Sequence, residues 1–135
     1  MNASATRVSD SGRFWIRVLL CTVLGVACDA STQSVFLTAE DYRFSPTLVR
    51  RSSGRPITLT VSNAGREVHE FASPLLAHAR DLSADGRSPG KAAPAVVTLE
   101  PGRFVRFMVE APVGTYLYWC RRKGHHNMSG TLIIE

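Results

Sequence analysis

The chain of 135 residues has few cysteines and no long apolar run. Of its three cysteines, Cys21 and Cys28 lie in the N-terminal segment, which leaves Cys120 alone in the rest of the chain. A single thiol excludes a disulfide framework within one copy of the domain. No stretch reaches the roughly 18 consecutive apolar residues of a transmembrane helix. The sequence also lacks an internal repeat, which excludes repeat architectures.

Basic residues are not concentrated in any one part of the sequence. The formal charge is +5, from 16 Lys and Arg against 11 Asp and Glu, and it falls to +3 without residues 1–28, which hold three Arg and one Asp. The remaining Lys and Arg are scattered, which argues against nucleic-acid binding. A mildly basic surface favours an acidic partner or an anionic membrane. The length fits one domain, which we expect to be a monomer.

Residues 1–28 are typical of a signal peptide. Three arginines precede an apolar run at residues 18–27, which is too short to span a bilayer and long enough for a signal-peptide core. Small residues before Cys28 resemble a bacterial lipoprotein signal, in which that cysteine becomes the lipidated N-terminus. A lipidated form, a cleaved soluble form and an uncleaved anchored form all stay open. Each predicts a periplasmic or otherwise extracytoplasmic domain, membrane-anchored in the first and third cases.

After a linker at residues 29–34, residues 35–135 contain short segments in which apolar and polar residues alternate with a period of two. Ile57, Leu59 and Val61 point one way while the threonines and serine between them point the other, which is typical of a half-buried strand. Seven to eight such segments, separated by Gly/Pro turns, predict an all-β domain, an antiparallel β-sandwich. Residues 75–82 predict a short helical insertion, and residues 83–93 predict a loop.

One loop near the C-terminus contains several side chains that bind soft metals. A predicted strand ends at Cys120, and His125 and Met128 follow before the last strand begins. A second imidazole, His69, comes just after the predicted turn at residues 63–65. Two imidazoles and a thiolate with a weak axial thioether are the ligands of mononuclear copper electron-transfer sites. The sequence therefore predicts one copper ion held by His69, Cys120, His125 and Met128.

The same loop resembles that of the cupredoxin family, the type 1 blue copper proteins such as azurin and plastocyanin. The matching pattern is a strand Tyr-x-Tyr-x-Cys, then Gly-His, then Met-Ser-Gly-Thr-Leu, and the resemblance extends over residues 35–135. It implies a cupredoxin-like Greek-key sandwich in which His69, Cys120 and His125 are copper ligands. Met128 matches the axial methionine, although it follows His125 more closely than is usual in the family. The alternative to axial ligation is that the Met128 side chain only packs in the core.

The resemblance implies a one-electron carrier between redox partners, with no enzymatic activity. Copper carriage or sequestration without electron transfer is the alternative, because the same ligands would serve. A catalytic Cys–His pair is disfavoured because no orienting acid is evident. A structural zinc site fits the ligand types, but nothing else in the chain requires a metal to hold it together.

Two further predictions concern the surroundings of the copper ligands. The cations Arg121, Arg122 and Lys123 are either a solvated loop tip or a docking site for an acidic redox partner. A metal-bound imidazole usually donates its second N–H to a neighbouring group. We expect Glu70 or the nearby backbone to accept that hydrogen bond from His69.

Overall fold

The computed structural model describes residues 31–84 and 95–135. The predicted signal peptide, the first two residues of the predicted linker and most of the loop predicted at residues 83–93 lie outside these ranges. Within them, no helix is long and apolar enough to cross a bilayer. The described residues form ten strands and a 3₁₀ helix, namely β1 (Gln33–Glu40), β2 (Arg43–Ser45), β3 (Leu48–Arg51), β4 (Ile57–Asn63), β5 (His69–Ala72), the helix (Pro74–His78), β6 (Ala79–Ala84), β7 (Val96–Leu99), β8 (Phe104–Val109), β9 (Gly114–Trp119) and β10 (Ser129–Ile134).

The strands make two five-stranded sheets whose inner faces share one core. The first sheet has the order β2-β1-β4-β8-β6 and the second has the order β3-β10-β9-β5-β7. Both sheets contribute buried apolar side chains to a single cluster. The predicted all-β sandwich is therefore confirmed.

The structure differs from the prediction in having more than seven to eight strands and in two strand pairings that are parallel. Within the described ranges there are ten strands, and β1 runs parallel to β4 while β3 runs parallel to β10. Parallel strands that pair with each other are distant in sequence, so no hairpin turn between them indicates the pairing. Strand β3 escapes detection because Val49 is its only fully buried residue and two arginines follow it, as suits a sheet edge. The predicted helical segment at residues 75–82 divides into the 3₁₀ helix and β6.

Aromatic rings fill the core beneath the end of the sandwich where β5 and β9 meet. Phe44 contacts Phe71 and Tyr118 edge-on, with ring centroids 6.0 and 5.5 Å apart, and Phe71 stacks on Phe107 at 6.2 Å. All four side chains are almost fully buried. Aromatic pairs in this geometry add about 0.5–1.5 kcal/mol each beyond their buried area. The core therefore fixes β5 and β9 relative to each other.

Tyr118 and Gly130 fit together across β9 and β10. The two residues are directly opposite in the antiparallel pair, and a Cβ on Gly130 would lie 2.3 Å from Cζ of the tyrosine ring. The Tyr118 hydroxyl donates a hydrogen bond to the carbonyl of Pro46 at 2.5 Å. Burial raises the pKa of Tyr118 to about 12, so the phenol stays a neutral donor. Only glycine at position 130 leaves room for this ring.

The parallel pairing of β1 with β4 brings two distant turns together. Ala39 lies opposite Asn63 in this register, and the N–H of Ala64 donates to the carbonyl of Ala39 at 2.8 Å. Asp41, which follows β1, therefore lies against the loop that leads from Asn63 into β5. This contact places the carboxylate of Asp41 beside the first residue of β5, His69.

Candidate metal centre

Cys120 and His125 are positioned by a short, internally bonded loop between β9 and β10. The N–H of Cys120 donates to the carbonyl of Met128 at 2.9 Å, which closes the loop at its base. Within it, the N–H of His125 donates to Arg122 at 3.1 Å, and Gly124 turns the chain with a φ of 90°. A left-handed φ of this kind favours glycine. The loop therefore returns the imidazole towards the thiol that begins it.

His69 is held at the start of β5 by the loop that precedes it. Asn63 is buried, and its amide nitrogen donates to the carbonyls of Glu67 and Leu99, both at 2.8 Å. Its side-chain oxygen accepts from the N–H of Gly65 at 2.8 Å, which is an Asx turn. His69 then pairs with Leu99 across β5 and β7. One asparagine thus sets the path of the chain into the candidate site.

The three side chains converge on one buried point. Nδ1 of His69 lies 3.2 Å from Nδ1 of His125, and Sγ of Cys120 lies 3.4 Å from the same His125 nitrogen. All three candidate ligand atoms lie within 4.8 Å of one another. His69 is 0% exposed, Cys120 6% and His125 7%. Three of the four side chains predicted from the sequence therefore form a cluster that can hold a metal ion.

The electrostatics of the cluster favour ligation by neutral imidazole. Burial, followed by the neighbouring His125, lowers the pKa of His69 below its ordinary value. A neutral ring keeps a lone pair for a metal. The N–H of Glu70 donates to Sγ of Cys120 at 3.4 Å, a contact that stabilises negative charge on the sulfur. The donor set and its surroundings fit a soft metal ion.

Solved structures resemble this chain in fold. No protein-family model matches the sequence, and no curated protein is significantly similar to it. Auracyanin A from Chloroflexus aurantiacus superimposes with a TM-score of 0.55 at 19% identity, covering 78% of this chain and 100% of that one. Reduced auracyanin from Roseiflexus castenholzii gives 0.55 at 18%, covering 76% and 97%. Blue copper oxidase from Nitrosomonas europaea gives 0.60 at 15%, covering 78% of this chain but only 44% of its own length.

The chain has the cupredoxin fold. The identities are too low to show more than the fold. The resemblance seen in the sequence is thereby confirmed for the architecture. The cupredoxin fold places His69, Cys120 and His125 together at one end of the sandwich, as the sequence motif implies.

Met128 lies at the base of the same cupredoxin loop. It is almost completely buried and belongs to the hydrophobic core cluster. Its N–H donates to the carbonyl of His125 at 3.0 Å, so its backbone closes the turn that follows the imidazole. Burial suits an axial thioether and a core side chain equally well. Axial ligation by Met128 stays a prediction.

Sequence reasoning missed two residues beside the cluster, both in the turn between β1 and β2. Oδ1 of Asp41 lies 3.5 Å from Nε2 of His69, where the sequence predicted Glu70 or backbone. Glu70 instead approaches Cys120 through its backbone N–H. Tyr42, with a φ of 72°, contacts His125 edge-on at 5.1 Å between ring centroids. The chain turns at Asp41-Tyr42, and the parallel β1–β4 pairing determines that this turn faces the site.

The loop cations and the second loop histidine face outwards. Arg121, Arg122 and Lys123 are exposed, as is His126. His126 is not part of the buried cluster of candidate ligands. His125 belongs to that cluster and stays the predicted second imidazole ligand.

Proposed function

We propose that this chain is an extracytoplasmic copper protein that carries single electrons between redox partners. The observation that supports this most directly is the buried convergence of one thiol and two imidazole nitrogens, all within 4.8 Å, on a cupredoxin fold. Auracyanin A, which has the same fold, is described as a “blue” copper protein.

The donor set indicates copper. Soft thiolate and imidazole donors in a trigonal arrangement suit copper, whereas a structural zinc site usually has four protein ligands. Copper bound here would supply a one-electron couple. Met128 is the proposed axial ligand, and its distance from the ion is one determinant of the potential.

The protein contributes a rigid framework for the candidate ligands. His69 begins β5 and Cys120 follows β9, and these strands are neighbours in one sheet that packs on the aromatic core. The hydrogen bonds of Asn63 and of the loop at residues 120–128 fix the approach of each imidazole. A rigid ligand set limits structural change when the charge of the ion changes, which favours rapid electron transfer.

The surface around the ligands supports an acidic partner. Arg121, Arg122 and Lys123 are exposed directly beside Cys120, and the ring of Tyr42, which contacts His125, is 58% exposed. We propose that a negatively charged redox protein docks on this face. Electrostatic steering of this kind raises association rates and is screened by salt. Reduction of the protein by its partner should therefore slow as the ionic strength rises.

The test is to titrate the purified protein with Cu(II) and to record its visible and electron spin resonance spectra. We expect an intense thiolate charge-transfer band and reversible one-electron voltammetry. Cys120→Ser and His125→Gln should abolish the band, whereas His126→Gln, the matched control on the adjacent exposed histidine, should retain it. If both histidine variants keep the parent spectrum, the assigned site is wrong. Binding of Cu(I) alone, without reversible cycling, would favour copper carriage instead.

A further inference from the structure

The buried nitrogen of His69 that faces away from the cluster lacks an ordinary partner. Nε2 of His69 is inaccessible to solvent and makes no hydrogen bond to any residue that the structure describes. Oδ1 of Asp41 lies 3.5 Å away, which is an ion-pair distance but exceeds the roughly 2.7–3.2 Å of a good hydrogen bond. A buried imidazole N–H without an acceptor is costly. The Asp41 carboxylate is the acceptor within reach.

The carboxylate of Asp41 is held in place by backbone groups. Oδ1 accepts the N–H of Arg66 at 2.9 Å and that of Glu67 at 3.2 Å, and Oδ2 shares the Arg66 N–H at 3.2 Å. A Cβ on Gly65 would lie 2.2 Å from Oδ1, so this approach requires glycine there. The Asp41 side chain itself is 33% exposed and closes the outer edge of the His69 ring. The carboxylate is thus fixed independently of the imidazole.

The position of this carboxylate selects one tautomer of His69. With its proton on Nε2, the ring points an N–H at Asp41 and turns the Nδ1 lone pair towards the cluster, where Nδ1 of His125 lies 3.2 Å away. With its proton on Nδ1, the ring would instead direct the lone pair of Nε2 at a carboxylate oxygen of Asp41 inside the protein. That second arrangement is repulsive and leaves Nε2 unsatisfied.

We propose that Asp41 is a positioning residue that keeps the His69 proton on Nε2 and so presents Nδ1 as a metal ligand before any metal binds. The inference rests on the proposed copper site for its consequence, although the tautomer itself is a property of the metal-free protein. Removal of an outer partner of this kind typically lowers metal affinity about 10–100-fold. The negative charge of Asp41 also stabilises the more positive oxidised ion, so its removal raises the reduction potential.

The experiment compares Asp41→Asn, Asp41→Ala and the control Glu40→Gln. The asparagine keeps an acceptor oxygen and removes the charge, whereas alanine removes both. Glu40 precedes Asp41 but contacts Arg43 rather than His69. The Glu40→Gln control therefore removes one negative charge, as Asp41→Asn does, without touching the imidazole. Long-range proton–nitrogen NMR of the metal-free proteins reads the His69 tautomer, and thermal unfolding verifies that each variant is folded.

We expect the parent, Asp41→Asn and Glu40→Gln to show the proton on Nε2, and Asp41→Ala to show both tautomers. In the copper-loaded proteins, Asp41→Ala should bind Cu(II) at least about tenfold more weakly, and Asp41→Asn should have a higher potential than Glu40→Gln. A parent protein with the proton on Nδ1, or an Asp41→Ala variant with unchanged tautomer and affinity, would overturn the proposal. If no variant binds copper, the proposed function fails, while the tautomer still decides the role of Asp41.

Discussion

At the scale of single residues, the site depends on a few buried polar groups whose hydrogen bonds are specific. Asn63 is the clearest example, because its side chain bonds one carbonyl and one N–H of the loop that leads to His69 and also the carbonyl of Leu99 on β7. Cys120 receives a backbone N–H, and Asp41 receives two. A buried polar group without a hydrogen-bond partner is costly. Substitution of each of these residues should therefore have its own measurable effect on the protein.

Asn63→Ala should destabilise the protein by about 1–3 kcal/mol, because the carbonyls of Glu67 and Leu99 lose their buried donor. Urea denaturation of the metal-free protein measures this loss. Ser62→Ala is the matched control, since the Ser62 hydroxyl makes only a 3.5 Å contact with Leu37, and we expect a change within about 0.5 kcal/mol. Equal midpoints for the two variants would show that the loop does not depend on the Asn63 amide.

Met128→Leu separates ligation from packing. Leucine conserves the side-chain volume, so the cost to stability should stay below about 1.5 kcal/mol. If the thioether is axial, the visible band persists and the reduction potential rises, because the oxidised ion loses a donor. Met108→Leu on β8 is the control, because Met108 lies in the other sheet and should leave the potential unchanged. Identical potentials in both variants would identify Met128 as a core residue alone.

At the scale of elements, the loop between β9 and β10 carries Cys120 and His125, and the packing of these two strands depends on one glycine. Gly130→Ala should cost about 1–3 kcal/mol as an overpacking substitution, because the Tyr118 ring blocks the new methyl group and its hydroxyl is tied to Pro46. We also expect an altered copper spectrum, since Cys120 follows Tyr118 by two residues. Chemical denaturation and visible spectroscopy measure the two effects.

Gly114→Ala is the control for that substitution. A Cβ there would lie 3.4 Å from the Tyr116 ring, an ordinary contact, so its effect should be much smaller. A Gly130→Ala protein as stable as this control would mean that Tyr118 moves freely, contrary to its hydrogen bond with Pro46.

Elements with strong local signals could be predicted from the sequence, and those fixed by distant pairing could not. The alternation of Ile57, Leu59 and Val61 predicted β4, and the loop from Cys120 to Met128 was predictable as the candidate metal-binding loop, from which Cys120 and His125 join the cluster. Nothing in β1 indicates that it runs parallel to β4. That pairing brings Asp41 beside His69, which is why the sequence indicates only Glu70 or the nearby backbone as partners of this imidazole and does not indicate Asp41.

At the scale of the whole molecule, the candidate site lies at one end of the sandwich, and the hydrophobic core that joins both sheets lies beneath it. Turns from both sheets meet there: the β1–β2 turn with Asp41 and Tyr42, the loop before β5, and the loop between β9 and β10. The aromatic core below buries Phe44, Phe71 and Tyr118. The exposed cations of residues 121–123 lie at this end as well.

This arrangement predicts that copper adds stability without being required for folding. Small zinc domains unfold without their metal because they have little other core, whereas here an extended apolar cluster joins both sheets. The metal-free protein should therefore unfold in one cooperative transition, and a ligand present at a hundred times its dissociation constant should add about 2.7 kcal/mol. Calorimetry with and without a chelator measures the difference. Cys120→Ser should keep the metal-free transition and lose most of the copper-dependent increment, and a metal-free protein without a cooperative transition would show that the metal, rather than the core, holds the sheets together.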